Sequence, residues 1–172
     1  MNQTAIALTD GDRELFDREF EHWLPECVLD AHVQVFAKAA FPAGFAFAAD
    51  SCYTRFGGEF RLEQCLQAAS VLMPGRRFGM LSFGTPHAAL DRDAAARYTG
   101  SISDNRERFG MLLVSPGDPV AAVEERVRRD RLVGYKPYHS YVQGVPTDAV
   151  RIPQMLSVAQ MDLANALGLA IM

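Results

Sequence analysis

Asp30, His32 and Gln34 occupy alternate positions of the largely apolar stretch 27–36, and Lys136, Tyr138 and His139 stand at or just beyond the end of a second apolar stretch, 132–137. Carboxylate, imidazole, ammonium and phenol are the groups that ligate divalent metals, move protons and hold anions. A two-residue period places Val28, Asp30, His32, Gln34 and Phe36 on one face of 27–36 and Leu29, Ala31, Val33 and Val35 on the other. The second face is small and apolar, as on a strand packed beneath helices. The first carries three polar groups in a row, and such groups cost free energy inside a protein unless each finds a partner. A metal, a substrate or a hydrogen-bond network is therefore expected to meet this strand.

Each candidate has more than one chemistry open to it. His32 and Asp30 could form a buried pair in which the carboxylate fixes the imidazole tautomer. Alternatively, residues two apart on one strand face can both reach a metal, and neutral imidazole suits zinc or iron. Gln34 is a weaker, uncharged donor for that purpose. Lys136 is either a surface lysine or lines a site, where it could bind an anion or, if carboxylated, a metal. Tyr138 and His139 are loop residues, or else contact substrate and transfer protons. His87 reads as a loop or helix-start residue. The aromatic residues of 37–58 form a local cluster, a ligand cage, or both.

These residues need elements to position them. A helix is expected over 9–24, with Thr9 as its cap and Phe16, Phe20, Trp23 and Leu24 on one side, ended by Pro25. The connection 37–58 is long and aromatic, as functional walls and lids tend to be. Beyond it, helical and extended patterns alternate: helix near 59–72, strand 78–83, helix near 88–105, strand 109–115, helix 119–129, strand 132–137, helix near 152–167 and a last extended piece, 169–172. Helices between successive strands predict a parallel sheet joined by right-handed crossovers. Residues 115–119 read as a turn that caps the next helix, with Pro119 at its first position, and Gly168 as a left-handed helix terminator. The chain stops as a buried strand begins, which predicts a truncated or partial chain. In parallel α/β folds, sites collect at the carboxyl ends of the strands, where His32, Gln34, Ser82, Thr85, Ser115, Lys136, Tyr138 and His139 fall.

Composition narrows the function classes. The 172 residues, 49% hydrophobic and 22% charged with net charge −4, suit one globular domain. No basic stripe marks a nucleic-acid partner. No apolar run approaches the roughly 18 residues of a membrane span, and no signal peptide is evident, so a cytoplasmic protein is expected. Cys27, Cys52 and Cys65 lack metal-type spacing and read as reduced thiols.

The segment Asp30-Ala31-His32-Val33-Gln34 resembles the first-strand Asp-x-His-x-His motif of the amidohydrolase superfamily, in particular its amidohydrolase-2 branch of metal-dependent hydrolases and decarboxylases. Further matches follow in order: 108–111 resembles that branch's third strand, 115–119 the following turn, 134–137 the fourth strand and 167–172 the entrance to the fifth. The resemblance implies a (β/α)8 TIM barrel, here incomplete, with about four to five parallel strands and outer helices. Residues 1–26 would be an N-terminal helical extension and 27–172 the N-terminal half of the barrel. It further implies a divalent metal, zinc foremost with manganese or iron as alternatives, bound by His32. Gln34 stands where the family has its second histidine. Asp30 would orient, His139 would shuttle protons, and Lys136 and Tyr138 would contact a small organic substrate.

Two other readings compete. One is a metal-free binding or scaffold protein of the same ancestry, for which Gln34 is the main argument. The other is a five-stranded flavodoxin-like module, which would place the first strand in the middle of an open sheet. A homo-oligomer, or a separate C-terminal half, could complete a barrel.

Overall fold

The computed structural model describes residues 7–172; residues 1–6, which open the expected N-terminal extension, lie outside the described residues. Helix α1 spans Asp10–Glu19. Thr9 caps it reciprocally: the Thr9 hydroxyl accepts the Asp12 N–H at 3.2 Å, and the Asp12 carboxylate accepts the Thr9 N–H at 2.8 Å. The helix is shorter than the expected 9–24. It has no buried residue, and a helix without a packed face gains little from each added turn.

Five strands follow: β1 Cys27–Gln34, β2 Arg77–Phe83, β3 Arg108–Val114, β4 Gly134–Pro137 and β5 Ala170–Ile171. All neighbours pair in parallel, in the order β1-β2-β3-β4-β5. The sheet curls as a half-barrel with helices along its outside. Sequential order overturns the flavodoxin-like alternative, because β1 lies at an edge and no crossover skips a strand. Among the described residues, no helix is long and apolar enough to cross a membrane.

The connecting elements are α2 Cys52–Arg55, α3 Leu62–Leu72, α4 Arg92–Ile102, α5 Val120–Asp130 and α6 Val158–Leu167. Asp91 caps α4 by accepting the N–H groups of Asp93 and Ala94. Pro119 takes the cap position of α5, one residue earlier than expected. The last helix begins later than 152, because Ser157 and Gln160 form a capping box that starts α6 afresh after a short turn at Ile152–Gln154. Gly168 ends α6 in the left-handed region, at φ 65°, as its type and position predict. At Gly134 the β5 backbone comes so close that a Cβ would collide with the Ala170 carbonyl.

Hydrophobic packing has two sides. Outside the sheet, Leu112, Val114 and Tyr135 meet Val123 and Val127 of α5 and Ala164 of α6, while Val33, Val35 and Met80 meet Cys65 of α3. On the concave side, Phe36, Phe83, Met111 and Leu113 pack with Phe41 and the partly buried Phe45, Phe47 and Tyr53 of the 37–58 connection. The aromatic residues of that connection form a local cluster, one of the readings open to them.

One expectation about β1 is corrected. Asp30 pairs with Met80 but Val33 pairs with Ser82, so Ala31 and His32 together stand opposite Leu81. The resulting β-bulge switches the facing of every residue beyond it. Val28 and Asp30 take the helix side, in register with Phe78 and Met80, whereas His32, Gln34 and Phe36 take the concave side. The five residues 28, 30, 32, 34 and 36 therefore do not share one face. The Asp30 carboxylate closes the bulge by accepting the His32 backbone N–H at 2.8 Å.

Candidate functional site

The carboxyl ends of β1, β2 and β4 bring polar groups together on the concave side. β1 supplies His32 and Gln34. β2 supplies Phe83, whose ring lies 4.9 Å from that of His32, edge to face. Lys136, in register with Leu113 of β3, projects to the same side, and Tyr138 follows just past the end of β4. Tyr53 reaches in from the connection after β1.

Gln34 is the hub. Its amide oxygen accepts the Tyr53 hydroxyl at 2.5 Å, and its amide nitrogen donates to the Tyr138 hydroxyl at 3.3 Å. Tyr138 then approaches the His32 Nε2 at 3.4 Å. Four side chains from three separate segments thus form one polar chain, Tyr53–Gln34–Tyr138–His32. Burial raises both phenols above their ordinary value, with the Gln34 contact partly opposing this at Tyr138. Both are neutral hydrogen-bonding groups at physiological pH.

Lys136 is only 8% exposed. Its Nζ lies 5.2 Å from the Phe83 ring centre and 5.1 Å from that of Tyr138. Cation–π attraction offsets part of the cost of taking the ammonium out of water, yet among the described residues no carboxylate lies within ion-pair distance of it. Desolvation consequently pulls its pKa below the ordinary lysine value.

The expected site residues are therefore divided. His32, Gln34, Lys136 and Tyr138 come together. Asp30 does not join them: its carboxylate is held on a backbone amide at the bulge, on the side of Cys65. Burial, with a smaller push from the Asp30 charge, raises that thiol to about 11. His139 lies on an exposed turn, its ring 6.3 Å from the Tyr138 ring, and makes no side-chain hydrogen bond among the described residues. His87 is enclosed by Phe41, Phe45 and Phe47, and Leu90 and Ala89 fold back onto it through hydrogen bonds at 3.1 and 3.0 Å.

Two residues were missed from the sequence as site members. Tyr53 was visible only as one aromatic among several in a connection without a clear period. Thr85 was placed at a strand end, but nothing in its type showed that its hydroxyl would be fully buried beside Tyr53 without a hydrogen-bond partner.

A divalent metal needs several donors converging on one point, usually three or four His, Cys, Asp or Glu side chains for zinc. Among the described residues no three such groups converge. His32 offers one imidazole, and the Gln34 amide oxygen is already taken by Tyr53. These residues by themselves do not fit a metal centre. They do bring hydrogen-bonding groups, one cation and aromatic rings together at one end of the sheet, the kinds of group that recognise small molecules. Comparison of the chain with family models, curated proteins and solved structures found no match.

Proposed function

We propose that the concave face binds a small organic substrate at the carboxyl ends of β1, β2 and β4, within the N-terminal half of an amidohydrolase-type (β/α)8 barrel. The observation that carries this reading is the convergence of His32, Gln34, Tyr53, Lys136 and Tyr138 at the strand ends. Barrel enzymes keep their chemistry at that end of the strands, because the loops there vary while the strands hold their bases in place. Sequential parallel strand order supports the same architecture.

For the reaction, the proposal is hydrolysis or decarboxylation by a metal-dependent enzyme, with His32 as one ligand and the remaining ligands supplied from outside the described residues. The order of the motifs at 30–34, 108–111, 115–119 and 134–137 supports it. Equilibrium dialysis of the completed barrel against zinc and manganese, compared with its His32→Ala variant, tests it: stoichiometric binding lost on substitution is the expected result, and unchanged metal content defeats the ligand role.

A metal-free binding protein is the second reading, and one observation favours it. Gln34 is not poised as a spare ligand but tied at both ends between two phenols, which is the arrangement of a hydrogen-bond platform. Absence of bound metal in the dialysis experiment, together with retained small-molecule binding, selects this reading over the first.

A further inference from the structure

We propose that the groove between α1 and the end of α3 is a docking site for a basic amphipathic helix of a partner protein. No residue of this groove belongs to the strand-end cluster, so the inference stands apart from the substrate-site reading.

Helix α1 is held in place while its apolar side stays open. The Thr9–Asp12 capping box fixes its start. Just beyond its end, Arg76 donates to the Glu21 carbonyl at 2.8 Å and to the Glu21 carboxylate at 3.0 Å. None of its residues is buried, although a helix of a globular protein ordinarily draws most of its stability from packing an apolar face. Phe16, Phe20 and Trp23 run along α1 and the turn after it as a ladder, with ring centres 6.2 and 6.1 Å apart. Beside Phe16 lies a cavity of about 460 Å³ lined by Leu8, Arg13, Phe16, Asp17, Val71 and Pro74. Leu15, Phe20 and Trp23 are exposed, Trp23 at 61%. The Trp23 indole donates its N–H to the Glu19 carbonyl at 2.6 Å, which orients the ring before any partner arrives and lowers the ordering cost of binding. An apolar groove with exposed aromatic residues along it is the kind of surface that receives the apolar stripe of another helix.

Charge selects the partner. Residues 10–26 carry seven carboxylates against two arginines, a larger excess than the net charge of −4 on the whole chain. Arg13 is taken by Asp10 at 3.2 Å, whereas Asp17 lines the groove and forms no ion pair among the described residues. A second copy of this face would bring like charges together, and an anionic membrane would be repelled in the same way. A helix with lysines or arginines flanking an apolar stripe meets both the rings and the carboxylates.

Trp23 is the only tryptophan of the chain, so its fluorescence reports on this face. The probe is a synthetic Leu/Lys peptide of about 15 residues with its leucines at helical spacing. The comparators are the same composition scrambled to destroy the stripe, and a Leu/Glu peptide of the same pattern. The Leu/Lys helix is expected to shift the Trp23 emission to the blue with micromolar affinity, about tenfold or more tighter than either comparator, and to weaken as salt is raised. Phe20→Ser, at an exposed position, should lower that affinity about tenfold while keeping the reporter, and Val71→Ser, in the wall formed by α3, should weaken it likewise. Absence of binding, equal affinity for the scrambled or the Leu/Glu peptide, binding without a Trp23 shift, or undiminished affinity in both variants overturns the proposal. A dimer in sedimentation that Phe20→Ser dissociates gives the face to a second copy, and a Trp23 shift on phosphatidylcholine vesicles alone gives it to lipid; either result also overturns the proposal.

Discussion

At the carboxyl end of β3 the charged groups are joined in one hydrogen-bonded network, whereas across β1, β2 and β4 the one cation has no anion. In the first region Arg92 grips Asp118 with two hydrogen bonds, and Asp118 also accepts the Ser115 N–H at 2.9 Å. The fully buried Gln160 of α6 donates to the carbonyls of Ser115 and Asp118, at 2.9 and 3.1 Å. The Arg92 guanidinium also lies 5.2 Å from the Tyr141 ring centre. In the second region Lys136 has aromatic faces but no anion, and the Thr85 hydroxyl is buried beside Tyr53 without a well-formed hydrogen bond. Both regions sit at the same end of one sheet. The difference teaches that this chain supplies a carboxylate to a cation where it holds a loop, and surrounds the cation with rings alone at the other strand ends.

If the first network is structural and the second a binding surface, substitutions should separate them in size and in sign. The largest effect is expected for Asp118→Ala, which strands Arg92 and the Ser115 amide: a loss of about 3 kcal/mol in urea denaturation. A change below about 1 kcal/mol, in the range of exposed ion pairs, would remove the distinction. Gln160→Leu leaves two carbonyls without their donor and should cost about 2 kcal/mol by the same measurement. Lys136→Met should act in the opposite direction, raising stability by about 1 kcal/mol, because an unpaired buried ammonium gives way to an apolar chain of similar length. Thr85→Val, which trades an unpaired hydroxyl for a methyl, should change stability by about 0.5 kcal/mol or less.

The lysine has its own pH signature. Its folded-state pKa is depressed by burial, so above that value and below the ordinary lysine value the unfolded chain holds more protons than the folded one. Stability conferred by releasing this strain is therefore absent at neutral pH and grows as pH rises through the folded pKa toward the unfolded one. Denaturation midpoints followed into the alkaline range should show this rise in the wild type and lack it in Lys136→Met. A matching rise in both proteins would assign it to other groups.

Much of the architecture was legible in the residues. Alternating helical and extended stretches specified a parallel sheet, and Thr9 and Gly168 marked helix boundaries by chemistry that the structure uses. Gly134 and Lys136 stand at alternate positions of β4, the glycine where β5 approaches closely and the lysine on the cleft side. Pattern failed at β1, because a strict two-residue period has no means of registering an inserted residue. Asp30 was consequently grouped with His32, although the bulge turns it toward α3. Gln34 was weighed as a metal donor because the sequence places it two residues from a histidine. Its actual partners lie 19 and 104 positions away, at Tyr53 and Tyr138, and only the fold brings them within reach.

The doubled position in β1 also sets a parity. The lower and upper halves of the strand are half a turn out of phase, so the chain can present valines to α3 both before and after the kink while delivering an imidazole to the opposite side. A straight strand of the same length would send His32, Gln34 and Phe36 into the helix layer together. A strand shortened by Ala31 would keep them in the cleft and would release Asp30 from its hold on the His32 amide. Length at this single point, more than the identity of any side chain, decides which compartment the imidazole serves.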